Sequence, residues 1–144
     1  MDKIKSRYFG ELKVDTIEKR VTGIGGFFFK AQNSKNLVSW YAKHLGLKTD
    51  DYGSTFWWVD QHGNDCSTQW SPFAADTTYF EPSEKQFMQN FRVENLEVLL
   101  SQLKEEGVTV VGEMESFDYG KFSWILDPEG NKIELWEPID SVFK

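Results

Sequence analysis

The sharpest alternation of apolar and polar positions lies near the C-terminus. Across residues 132–136, Ile133 and Leu135 interleave with Lys132, Glu134 and Trp136, the period-two signature of a strand with one core face and one polar face. Residues 122–126 are apolar, aromatic and β-branched, and read as a preceding strand. Between them Asp127-Pro128-Glu129-Gly130-Asn131 supplies turn chemistry: proline presets φ, glycine takes positive φ, and Asp and Asn bond the nearby backbone. Earlier in the chain, residues 21–29 form a strand entered through Gly23, Gly25 and Gly26; glycines inside a strand mark a bulge or a close approach. Helical spacing follows, with Leu37, Val38, Tyr41 and Leu45 on one stripe of a helix over 35–45, capped by Asn33 or Ser34. A strand over 87–93 sets Phe91 and Val93 against Met88, Asn90 and Arg92. Glu94 or Asn95 then opens a helix over 96–106, with Leu96, Leu99, Leu100 and Leu103 inward and Gly107 ending it. Residues 108–111 and their neighbours form a further strand, and Tyr119-Gly120 turns into the final hairpin.

These elements occur twice. At an offset of 66, Phe56 falls on Phe122, Trp58 on Trp124, Val59 on Ile125 and Trp70 on Trp136, with the Gly63-Asn64 turn within one residue of Gly130-Asn131. Residues 27–29 match 91–93 at an offset near 64, and each match is followed by a helix. A repeat of this length fixes architecture ahead of any single motif. Each unit reads strand, helix, then about three strands: unit one over about 21–70, unit two over about 87–138. Residues 71–86 connect them, a long segment with two prolines that reads either as a lid, with Phe73, Tyr79 and Phe80 closing over a cleft, or as a crossover pinned by those aromatics. Residues 1–20 lie outside the repeat and form an N-terminal extension to a single domain over 21–144.

Two βαβββ units, the Leu45-Gly46-Leu47 helix end and the ending Asp-Pro-Glu-Gly-Asn-Lys-Ile-Glu-Leu-Trp-Glu-Pro over 127–138 resemble the glyoxalase/bleomycin-resistance/dioxygenase family, also called the vicinal oxygen chelate superfamily. The resemblance implies an α+β fold in which the two repeat units form a curved mixed sheet around a cleft, usually completed by dimerisation. Metalloenzymes of that family hold a divalent ion with His, Glu or Gln on four strands. Carried onto this chain, those positions fall near Ile24, Met88, Thr68 and Glu134, of which Glu134 alone is an ordinary ligand. A slip of one residue would offer Gln69 or Gln89 and still no histidine. The expectation is therefore no metal and no cofactor, and a departure from glyoxalase I and extradiol dioxygenase chemistry.

Composition narrows the partners. The chain of 144 residues has 40% apolar and 16% aromatic residues, enough for a core with rings to spare for a ligand. Residues 1–20 hold six Lys/Arg and four Asp/Glu, so the remainder carries ten against nineteen, a charge of −9. An acidic body argues against nucleic-acid phosphate and is compatible with cationic ligands. No run has the length of a membrane span, and the first twenty residues lack the apolar centre of a signal peptide; a cytoplasmic protein is expected. The lone Cys66 excludes an intrachain disulfide, and His44 and His62 fall in a helix end and a turn rather than on a strand face.

Strand alternation aims Phe28, Trp70, Met88, Asn90, Arg92, Glu134 and Trp136 into the cleft, the mixture of apolar surface and few polar groups typical of a small-molecule pocket. Arg92 and Glu134 either pair with each other, or Arg92 clamps a ligand carboxylate or phosphate while Glu134 acts as base or cation partner. The leading expectation is a homodimeric, metal-independent small-molecule-binding protein of the drug-resistance kind. An alternative is a lyase, isomerase or epimerase with Glu134 as catalytic base, with or without a divalent metal, and a third is a dimeric interaction module.

Overall fold

The computed structural model describes residues 20–144; the extension expected over 1–20 lies, but for Arg20, outside the described residues. Strand β1 (Val21–Ala31), helix α1 (Ser34–Leu45), β2 (Thr49–Asp50), β3 (Gly53–Val59) and β4 (Asp65–Ala74) make the first half. The second half is β5 (Phe87–Val93), α2 (Leu96–Glu105), β6 (Val110–Phe117), β7 (Gly120–Leu126) and β8 (Lys132–Pro138), followed by a 3-10 turn over Asp140–Phe143. All eight strands join in one sheet of order β2-β3-β4-β1-β5-β8-β7-β6, and the halves meet along an antiparallel β1–β5 seam. This is the mixed α+β, two-unit sheet expected from the sequence: β1 runs parallel to β4 and β5 parallel to β8.

Local chemistry sets the boundaries. Asn33 and Asn95 cap the two helices by accepting from the amides of Asn36 and Val98. Gly46 ends α1 in the left-handed region at φ 72°. The two hairpins use one device: Asp60 accepts from the amides of His62 and Asn64, and Asp127 accepts from those of Glu129 and Asn131. In the glycine-marked strand β1, the register with β5 shifts between Val21 and Gly23 and again between Ile24 and Gly26. There a Cβ on Gly25 would collide with Asn90 and come within 2.9 Å of the Trp136 ring.

The connecting segment begins later than the sequence suggests. Ser71–Ala74 continue β4 and pair with Phe28–Ala31, so residues 75–86 alone form the loop. Pro72 pairs with Phe29 of β1 and lies beyond Trp70, the last residue of β4 that pairs with β3, so one side of its backbone has no strand neighbour to lose a hydrogen bond to.

Two apolar clusters lie on opposite faces of the sheet. Phe28, Phe80, Met88, Phe122, Trp124 and Trp136 form the concave one. Val93, Leu96, Leu99, Leu100 and Leu135 form the other, beneath α2. Helix α1 buries no residue fully, and Leu45 of its expected stripe is 60% exposed.

Candidate functional site

The concave face opens into a cleft of about 580 Å³ walled largely by rings. Strand β8 delivers Glu134 and Trp136 to it, β5 delivers Asn90, and β7 delivers Phe122 and Trp124. These strands are in register, Asn90 beside Glu134 and Glu134 beside Trp124, so their side chains share one face by the pleat alone.

Glu134, 2% exposed, is the polar centre. Its Oε1 accepts from the Asn90 amide at 2.6 Å, and its Oε2 from the Trp124 indole at 2.9 Å and from the Tyr79 hydroxyl. Burial pushes the Glu134 carboxyl above the ordinary glutamate range, and those donors pull it back only in part. Burial and the Glu134 charge raise the Tyr79 phenol as well. Tyr79 comes from the connecting loop, held there by Lys132 Nζ on its carbonyl at 2.7 Å and by Phe73 stacked on its ring. Phe80 beside it is fully buried. Asn90 Oδ1 has no donor among the described residues.

Of the seven residues expected in the cleft, Phe28, Asn90, Glu134 and Trp136 line it. Met88 is on that face but lies beneath the surface, with no exposure. Trp70 points the other way, packing on Tyr41 of α1 at 4.6 Å and on Phe29 at 5.4 Å. Gln69 and Ser71 take its place in the cleft. The cause is a one-residue slip in the repeat: the hairpin devices Asp60 and Asp127, and Gly63 and Gly130, match at 67, whereas the aromatic residues match at 66. A slip of one moves every strand side chain to the opposite face. The Asp-x-x-Gly-Asn spacing shared by the two turns was the signal that would have placed Gln69.

Arg92 neither pairs with Glu134 nor reaches the cleft. Its guanidinium forks onto Asp140 of the 3-10 turn with two bonds of 2.7 Å, donates to the Ser67 carbonyl at 3.0 Å, and lies between the Trp58 and Trp136 rings. Asp140 also accepts from the amide and hydroxyl of Ser67. Burial raises the Asp140 carboxyl, but Arg92 and Ser67 more than offset this and hold it below the ordinary range. The sequence offers no local signal for this pair. It also left unassigned Trp124, Phe122, Glu115 and Phe143, which line the cleft together with Tyr79 and Phe73, two of the aromatics that the lid reading of the connecting segment brings over it. Cys66 is buried and its thiol is pushed up by that burial, the condition of an inert sulfur.

The model of the Glyoxalase/Bleomycin resistance protein/Dioxygenase superfamily matches residues 31–135. The chain belongs to this superfamily. Solved superfamily-like folds include a methylmalonyl-CoA epimerase from Mycobacterium tuberculosis, 18% identical over 91% of this chain and 97% of that one, with a TM-score of 0.59. A methylmalonyl-CoA epimerase variant from Streptomyces coelicolor in complex with 2-nitronate-propionyl-CoA is 12% identical over 82% and 98%, at 0.62. A Mn(II)-bound glyoxalase from Novosphingobium aromaticivorans is 16% identical over 82% of this chain and 39% of its own, at 0.55. No curated protein matches the chain.

The superfamily's divalent ion does not fit this donor set. Of the four positions carried over, Ile24 is half-exposed and Met88 sits in the core. The Thr68 hydroxyl donates to the Ile24 carbonyl and accepts from Trp58. Around Glu134 the cleft offers two amides, Gln69 and Asn90, and no imidazole, and both carboxylate oxygens already accept hydrogen bonds. Among the described residues no group of three or more His, Cys, Asp or Glu is placed to hold a metal. No described helix is long and apolar enough to cross a membrane.

Proposed function

We propose that this superfamily member binds a small, largely apolar molecule in its cleft without a catalytic metal, working as a cytoplasmic homodimer that sequesters its ligand. One observation carries the reading: an open, ring-walled cleft of about 580 Å³ whose floor is a single buried carboxyl held by three donors. That combination of apolar wall and few oriented polar groups is what small-molecule sites share. It supports holding a ligand better than acting on one. A base needs a lone pair aimed at the substrate proton, and side chains of the protein fill three of the roughly four acceptor positions of Glu134.

The test is titration of the purified protein with a panel of aromatic compounds, followed by tryptophan fluorescence and melting temperature. Expected are one-to-one binding, a raised melting temperature, no turnover, and about tenfold weaker binding in Trp136→Ala through lost ring contact. Chelators should leave the melting temperature unchanged. Near-stoichiometric Zn, Mn, Ni or Fe that disappears in Glu134→Ala would overturn the metal-free reading, and a panel without a single binder would overturn the cleft itself.

A further inference from the structure

We propose that the ligand of this cleft is an organic cation, an ammonium- or pyridinium-type centre carrying apolar groups; this rests on the cleft being a small-molecule site. The sequence leaves the sign of the ligand's charge open, because Arg92 and Glu134 both count as cleft residues there. The tertiary structure separates them. Arg92 is tied to Asp140 behind Trp136, and no Lys, Arg or His stands among the described residues lining the cleft. An anion entering it would meet no counter-charge.

The groups that do line it are acceptors and π-faces. Glu134 forms the floor and Glu115 the β6 wall, paired in register with Phe122. Glu115 makes no ion pair among the described residues, and its side chain is exposed to the cleft mouth. Asp50 lies at the rim with its carboxylate on the amides of Tyr52 and Gly53. The Asn90 Oδ1 has no donor among the described residues, but it is buried against Gly25 and backs the site rather than facing a ligand. Around these stand the rings of Phe28, Tyr79, Tyr119, Phe122, Trp124 and Trp136. Aromatic faces carry negative quadrupole potential and attract a cation most strongly where water is excluded. Lys132 is not among the lining residues; its ammonium donates to the Tyr79 carbonyl and lies 5.3 Å from the Tyr79 ring centroid and 5.6 Å from that of Trp124. It packs on these rings from the same face of β8 as Glu134, and its use of them shows how they receive positive charge. Lys132 moderates the charge of both Glu134 and Glu115; Glu115, exposed and without an ion pair among the described residues, is the carboxylate more open to a ligand.

The experiment compares three molecules of nearly one shape by calorimetry: the cation N-methylquinolinium, its neutral isostere 1-methylnaphthalene, and the anion 1-naphthoate. The cation is expected to bind about tenfold or more tighter than the neutral compound, with the anion weakest. Glu115→Gln, at an exposed strand position, should cut the cation's affinity severalfold and leave the neutral compound's unchanged; Glu134→Gln should act in the same direction. Equal affinity for all three would overturn the cation assignment and leave the small-molecule cleft standing. Binding of none of them would remove both readings. A cation preference that persists in Glu115→Gln and Glu134→Gln but vanishes at high salt comes from the diffuse negative field of the whole chain, and also overturns the assignment.

Discussion

Two carboxylates, the buried Glu134 and the half-buried Asp140, face opposite environments a few residues apart, and their effects on stability run in opposite directions. Asp140 has its folded pKa depressed, so its contribution is present above the unfolded value and is lost as pH falls through the folded one. Glu134 has its folded pKa raised, so its contribution is complete in acid and is lost as pH rises through the folded value. In urea titrations over a pH series, Asp140→Asn should be less stable than wild type at neutral pH and converge with it in acid. Glu134→Gln should gain on wild type as pH climbs above the ordinary glutamate range; parallel curves would show that Glu134 keeps an ordinary pKa. Arg92→Ala is the harsher change, because it strands Asp140, whose side chain is 16% exposed, without its partner. A loss of about 3 kcal/mol is expected. Arg92→Lys should recover only part of it, since a lysine cannot reproduce the two-pronged contact. A cost under about 1 kcal/mol for Arg92→Ala would mean the pair is dispensable.

At the scale of elements, the two helices are sequence counterparts with unequal burial. Helix α2 inserts Leu96, Leu99 and Leu100 into the cluster beneath the sheet, whereas α1 rests on β4 mainly through Tyr41 and Trp70 and leaves Trp40 half-exposed. Leu100→Ala should therefore cost about 3 kcal/mol and Leu37→Ala, at a half-buried position, below about 1 kcal/mol. Amide hydrogen exchange should be faster across α1 than across α2. Similar protection of both helices would contradict this difference.

For the whole molecule, the unequal cover has a consequence on the outer face of the first half. Ile24 and Phe27 on β1 and Phe56 on β3 are each nearly half-exposed, on strands that flank β4. Such a surface suits the proposed two-fold pairing, since isologous dimers are the commonest symmetric assemblies. Light scattering should give about 34 kDa, twice the 16.8 kDa chain. Phe27→Asp combined with Phe56→Asp should shift the protein to the monomer without unfolding it. A wild-type monomer at high concentration would exclude the pairing.

What the sequence determines by itself is what depends on near neighbours along the chain. The element order, the Asn33 and Asn95 caps, the paired Asp-x-x-Gly-Asn turns and the alternation that sends Glu134 and Trp136 to one face of β8 all follow from contacts within a few residues. The two-fold repeat extends this to the fold, because each half repeats the same local instructions. The tertiary structure decides what depends on distance. Whether Trp70 or Gln69 faces the cleft turns on a single residue of register in β4, which pairing with β1 and β3 selects. Arg92 finds Asp140 instead of Glu134 because the chain end folds back over Ser67, 73 positions earlier than Asp140. Tyr79 reaches Glu134 across 55 positions by way of a loop with no periodicity to read. These three long-range placements set the cleft's charge and lining; the shared turn spacing marks the first, the lid reading brings Tyr79 over the cleft without its partner, and nothing local marks the pairing of Arg92 with Asp140.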